Sequence, residues 1–89
     1  MKYMEAIGHR LKELLKLANI TQTNFAVKCK ISRITINKII NGRMKKITFE
    51  LLLLICDGLN ISLQEFFQSK YFEEKIELPE KQKRRIVYR

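Results

Sequence analysis

Apolar residues recur at steps of three and four along most of the chain, and this spacing predicts helices rather than strands. The longest such stretch covers about residues 3–18, where the apolar positions are Met4, Ile7, Leu11, Leu14, Leu15 and Ala18. The chain has 89 residues with only 3 Gly and 1 Pro, too few turn-forming residues for a many-stranded sandwich or barrel. We therefore predict a single all-α domain.

Capping residues divide the helical pattern into five segments. Ser and Thr side chains accept hydrogen bonds from the free N–H groups at helix starts, and Asn or Gly suits the left-handed conformation at helix ends. The candidate starts are Thr21, Ser32, Thr48 and Ser62, and the candidate ends are Asn19, Gly42 and Asn60. The predicted helices cover about 3–18, 22–28 or 29, 33–40, 49–59 and a short segment after Ser62.

The charge of the chain is strongly positive and unevenly distributed. Lys and Arg number 18 against 9 Asp and Glu, which gives a formal net charge of +9. No acidic residue occurs from Leu14 to Phe49, and a second basic cluster lies near the C-terminus, at Lys81, Lys83, Arg84, Arg85 and Arg89. This distribution favours a polyanionic partner, with a basic face that merely improves solubility as the alternative.

Other classes of function find little support in the sequence. The longest apolar run, Leu51–Cys56, is far shorter than a membrane span, and the first residues lack a secretory signal, so we expect a cytoplasmic protein without membrane contact. Cys29 and Cys56 are expected in the core, and His9 on the surface. No nucleophile–base pair, metal cluster or phosphate-binding loop is evident, so we expect no enzyme, cofactor or small-molecule substrate.

Residues 22–41 have the pattern of a helix, a short turn and a second helix. In a helix-turn-helix the second helix can enter the major groove and present its side chains to base edges. The sequence here resembles the Cro/C1-type (XRE family) helix-turn-helix repressors. The resemblance rests on the ordered segments Gly8–Leu14, Ile20–Ala26, Ile31–Arg43, Thr48–Glu50, Leu59–Leu63 and Phe66–Phe67. It implies a five-helix lambda-repressor-like domain, which we place at residues 1–68.

The resemblance also implies roles for individual residues. Those expected to read bases are Arg33, Ile34, Thr35 and Lys38, and those expected to contact the DNA backbone are Gln22, Thr23, Asn37, Arg43, Lys45 and Lys46. The side-chain chemistry agrees, because Arg or Lys can donate to guanine O6 and N7. Ile34 would contact a thymine methyl group if it points outward, and would be a core residue if it points inward.

The fourth predicted helix is apolar nearly all round, because Leu51, Leu53 and Leu54 add to its core positions. We expect Leu51 and Leu54 to form a homodimer interface, which would suit two-fold DNA recognition. The alternatives are a cover formed by the C-terminal segment and simple exposure.

From Ser69 the helical pattern weakens, and residues 69–89 are expected to form a basic extension, either a tail or short strands. The leading hypothesis is a dimeric repressor that binds double-stranded DNA. The alternative is an antitoxin-like interaction protein, because small domains of this kind also resemble antitoxins. Such a protein would bind a partner protein through 69–89 and regulate its own operon.

Overall fold

Five α-helices and one short 3-10 helix make up the regular structure in the computed structural model, which describes residues 1–73 and 76. Their bounds are α1 Tyr3–Ala18, α2 Gln22–Cys29, α3 Arg33–Ile40, α4 Phe49–Leu59 and α5 Leu63–Phe67, followed by the 3-10 helix Lys70–Phe72. The predicted all-α fold with five helices is confirmed. Within the described residues, no helix has both the length and the apolar character that a membrane crossing requires.

The starts of α2 to α5 are fixed by the predicted hydroxyl caps. The Thr21 hydroxyl accepts a hydrogen bond from the Asn24 N–H at 3.1 Å, and Ser32 Oγ accepts one from the Ile34 N–H at 3.1 Å. At α5 the cap is reciprocal, because Ser62 and Glu65 each bind the other's backbone N–H at 3.1 Å. These bonds satisfy N–H groups that have no partner inside the helix, so the local sequence sets the boundaries.

The helix ends follow the prediction with one addition. Asn19, Gly42 and Asn60 adopt φ values of 55°, 67° and 58°, in the left-handed region that Asn and Gly tolerate. Lys30 also adopts φ 57°, at the end of α2. No sequence signal marked this position, because Lys is not a residue that prefers the left-handed conformation.

The core lies among the five helices, where α1 packs mainly against α3, α2 packs against both α3 and α4, and α5 packs against α4. Its largest fully buried side chains are Phe25, Phe66, Leu11, Ile36, Ile39 and Ile55. Cys29 and Cys56 are buried free thiols, as predicted, and burial raises the pKa of both. Raised pKa values keep the thiols protonated, so they act as small apolar residues.

Helix α1 crosses the C-terminal end of α3 at Gly8. A Cβ atom at this position would collide with the carbonyl oxygen of Ile39 and would lie 2.8 Å from that of Ile40. The missing side chain therefore allows the two backbones to touch. α3 is the helix that is predicted to enter the DNA major groove. This crossing therefore also sets the orientation of α3 relative to the rest of the domain.

Arg10 joins α1 to the C-terminal end of α5. Its Nε donates to the Phe66 carbonyl at 2.7 Å, and its guanidinium also donates to the Glu65 carbonyl at 2.7 Å and to the Glu13 carboxylate at 2.8 Å. Only 12% of the side chain is exposed. The guanidinium therefore caps the C-terminal end of the short helix by binding two of its carbonyls, a role that the sequence pattern did not reveal.

Aromatic side chains hold the 3-10 helix against the domain. The Tyr71 ring stacks on His9 with centroids 5.4 Å apart, and Phe72 meets Phe67 edge to face at 4.8 Å. His9 is exposed, as predicted. Most of the segment expected to be a tail or short strands, including the basic cluster from Lys81 onward, lies outside the described residues.

Candidate nucleic-acid interface

Helices α2 and α3 form the predicted helix-turn-helix, and the apolar residues between them determine its geometry. Ala26 is buried on α2, and Ile36 is fully buried on α3. Ile31, in the turn, packs partly buried against the same core. This packing fixes the angle between the helices and leaves the opposite face of α3 open to solvent.

The open face forms a shallow groove between the start of α2 and the length of α3. The residues that line it are Gln22, Thr23, Arg33, Ile34, Asn37, Lys38 and Arg43. All of them belong to the set predicted to contact DNA, so the fold brings most of that set together. Of the other predicted residues, Thr35 is half-buried, and Lys45 and Lys46 lie exposed in the following loop.

The groove is positively charged. Arg33, Lys38 and Arg43 contribute cations, and none of the lining residues is acidic. The salt bridge found among the described residues joins Arg10 to Glu13 and leaves these three cations free of carboxylates. A groove of this kind attracts a polyanion.

Ile34 projects from this groove into solvent. Its side chain is 67% exposed, which excludes the alternative that it belongs to the core. An apolar group among cations and amides cannot bind a phosphate, but it can make van der Waals contact with the methyl group of a thymine.

A chain of side-chain amide hydrogen bonds, exposed to solvent, runs from the C-terminal end of α3 to the start of α2. Asn41 Nδ2 donates to Asn37 Oδ1 at 3.1 Å, and Asn37 Nδ2 donates to Gln22 Oε1 at 3.4 Å. Gln22 thus braces α3 while its own amide N–H groups stay available for a ligand. Asn41 was not among the predicted residues, although its spacing of four from Asn37 is a usable helical signal.

The loop between α3 and α4 alternates between anchored and exposed residues. Met44 and Ile47 pack partly buried against the core, whereas Lys45 and Lys46 point to solvent. The Tyr3 hydroxyl donates a hydrogen bond to the Lys45 carbonyl at 3.0 Å. Sequence reasoning missed Tyr3, because nothing local connects residues 42 positions apart.

Helix α4 carries an exposed apolar surface away from the groove residues. We call it the α4 face: Phe49, Leu53 and Leu54, of which Leu53 is 42% and Leu54 44% exposed. Leu51, expected beside Leu54 in a dimer interface, is half-buried and packs against the core. Within the part of the chain that is described, no group of His, Cys, Asp and Glu could hold a metal ion.

Comparisons with known proteins agree with this architecture. A family model described as Helix-turn-helix (HTH_3) matches residues 11–66. A search of curated proteins gives no match.

Three solved structures share the fold. Protein 11 of prophage Lp1 is 29% identical, with a TM-score of 0.71 over 84% of this chain and 100% of that one. The wild-type restriction-modification controller protein C.Esp1396I is 25% identical, with a TM-score of 0.69 over 76% and 87%. The clp gene regulator ClgR from C. glutamicum is 24% identical, with a TM-score of 0.66 over 71% and 80%.

The family match covers more than half of the chain and includes α2, the turn and α3. It agrees with the sequence resemblance, with the geometry of the two helices and with the similar solved structures. The chain belongs to the XRE-type helix-turn-helix family of DNA-binding regulators.

Proposed function

We propose that the chain is a sequence-specific regulator of transcription that binds double-stranded DNA as a homodimer and acts as a repressor. The observation that carries the proposal is the groove along α3, whose described lining residues combine three cations with the exposed side chain of Ile34 and include no carboxylate. Cations alone would bind any duplex, whereas an apolar group beside hydrogen-bond donors can distinguish bases.

In this proposal α3 lies in the major groove. Arg33 and Lys38 donate to base acceptors such as guanine O6 and N7, and Ile34 contacts a thymine methyl group. Thr35 lies in the first turn of α3, where the helix approaches the base edges.

The backbone contacts flank this reading surface. Gln22 and Thr23, at the start of α2, and Asn37 and Arg43 line the same groove, and they would donate to phosphates on one side. Lys45 and Lys46 would bind phosphates from the loop that follows α3. These contacts position the protein and carry no sequence information themselves.

Repression would follow from occupancy. Two copies related by a two-fold axis would place their α3 helices in successive major grooves, with half-sites about 34 Å apart. A dimer bound across a promoter would exclude the polymerase. The likeness to a restriction-modification controller and to a gene regulator supports a role in control of transcription.

The α4 face is the surface proposed for the dimer. We expect Leu54→Glu to convert the dimer into a monomer, because a buried interface cannot accept an unpaired carboxylate. The matched control is Leu17→Glu, on α1, where the leucine is 76% exposed. Sedimentation should give half the wild-type mass for Leu54→Glu alone, and an unchanged mass for both variants would remove the α4 face from the proposal.

The test of the function is selection of bound duplexes from a random DNA library at about 150 mM salt, followed by sequencing. A palindromic motif would support a dimer that reads sequence and would give its half-site spacing. Binding without enrichment would reduce the function to backbone contacts. Absence of binding would favour the alternative of an interaction protein that acts through residues 69–89.

A further inference from the structure

The first turn of α1 contacts the loop that carries Lys45 and Lys46. The Tyr3 hydroxyl donates to the Lys45 carbonyl at 3.0 Å. Nearby, Gly42 faces Glu5, and a Cβ built on Gly42 would lie 3.5 Å from Glu5 Cγ. A hydrogen bond from the first turn of α1 therefore reaches a loop that is distant in sequence.

The hydrogen bond from Tyr3 reaches the part of the loop whose side chains are exposed to solvent. Met44 and Ile47 are anchored by apolar packing, and the two lysines between them are exposed. Without the Tyr3 hydroxyl, the peptide at Lys45 would be held only through its neighbours. Ordering this segment on binding would then cost conformational entropy.

We propose that Tyr3 is a positioning residue for DNA binding, which holds the Lys45 peptide so that the Lys45 and Lys46 ammonium groups are presented to phosphates before DNA arrives. The inference rests on the proposed function and assigns Tyr3 no contact with DNA. It acts through preorganisation, which raises affinity by reducing the ordering that binding requires.

The chemistry of the hydroxyl suits this task. A tyrosine hydroxyl is protonated at neutral pH, and partial burial raises the pKa of Tyr3 further, so the hydroxyl is available as a donor. Phe at this position retains the ring and removes the hydroxyl, including its hydrogen-bonding contact with the backbone of Ile47 in the same loop. The Lys45 carbonyl would then turn to water, since the pair lies at the surface.

The experiment measures affinity for one 20-base-pair duplex, chosen as the strongest binder of the wild-type protein, across a series of salt concentrations. We expect Tyr3→Phe to weaken binding about three- to tenfold, the range of one hydrogen bond. The slope of log affinity against log salt should also fall toward that of Lys45→Ala. Base preference should stay unchanged, because only phosphate contacts are affected.

The matched control is Tyr71→Phe, which removes a hydroxyl from the stacked ring on His9 and should leave affinity and salt slope unchanged. Combining Tyr3→Phe with Lys45→Ala and Lys46→Ala isolates the coupling. If Tyr3 acts through the loop, its loss should add little once both ammonium groups are gone. A thermal melt of each variant checks that the fold is retained.

The results for wild-type protein and for Tyr3→Phe distinguish an error in the role of Tyr3 from an error in the proposed function. If wild-type protein binds the duplex and Tyr3→Phe binds equally well, the role of Tyr3 is wrong while the proposed function stands. If Tyr3→Phe weakens binding by the same factor in the wild-type protein and in the variant that lacks both the Lys45 and Lys46 ammonium groups, the effect does not run through the loop and the inference is overturned. If the wild-type protein binds no duplex, both are overturned.

Discussion

Gly8→Ala should lower the free energy of unfolding by about 2 kcal/mol, because an overpacking cost at the upper end of the usual range of about 1–3 kcal/mol exceeds the gain in helix propensity. Two effects of the added methyl group oppose each other. Ala in a helix interior is favoured over Gly by about 1 kcal/mol, so helix propensity alone predicts a more stable protein. The methyl group would, however, collide with the backbone carbonyl of Ile39 and crowd that of Ile40. A carbonyl within a helix cannot swing aside as a flexible side chain can, so the steric effect should dominate.

Urea denaturation followed by circular dichroism measures this change. The control is Lys12→Ala, at an exposed position of the same helix, which should alter stability by less than about 0.5 kcal/mol. An increase in stability for Gly8→Ala would mean that α1 and α3 do not touch at this point. The crossing sets the orientation of α3 in the domain. Gly8→Ala should therefore also weaken DNA binding, even at temperatures where the variant is folded.

Lys38→Glu should weaken binding to the selected duplex about 100-fold, which corresponds to the loss of one good base contact together with new repulsion. Lys38 lines the groove on α3 and is exposed. A carboxylate there would face either base acceptors or phosphates, and it would oppose both. We expect this large loss of affinity because of the position of residue 38 in the groove, and not because the net charge of the protein changes.

The control for net charge is Lys12→Glu. It changes the formal charge by the same amount, but Lys12 lies on α1 and does not line the groove. At about 150 mM salt, charges more than about 8 Å from the DNA are strongly screened, so we expect a loss of less than threefold. Fluorescence anisotropy with a labelled duplex measures both variants. Equal losses would contradict a binding surface on α3 and would indicate nonspecific attraction.

The helices were predictable because their boundaries are encoded locally. Thr21, Ser32, Thr48 and Ser62 each place a hydroxyl where the first free N–H groups need an acceptor. The 3.6-residue period of the apolar positions identified the segments between these caps as helices. The 3-10 helix Lys70–Phe72 was not predicted, because three residues are too few for a period and its position depends on contacts with His9 and α5.

The candidate site was predictable as a set of residues but not as an arrangement. The capping pattern placed Arg33 and Lys38 on one helix, the resemblance implied their role, and in the structure both line the groove. The orientation of Ile34 was undecided, because an apolar residue at that point of the pattern fits the core or the surface equally well. Contacts between distant residues, such as those of Arg10 with α5 and of Tyr3 with Lys45, leave no periodic trace in a sequence.

The most direct measurement for the central claim is duplex selection performed in parallel with wild-type protein and Arg33→Ala. Arg33 is the first residue of α3 and lines the groove. If α3 reads bases, the variant should recover the same motif with relaxed preference at one base pair in each half-site, at a cost of about 1–3 kcal/mol for the original sequence. An unchanged motif with uniformly weaker binding to every sequence would show that Arg33 contacts the backbone, and it would contradict the account.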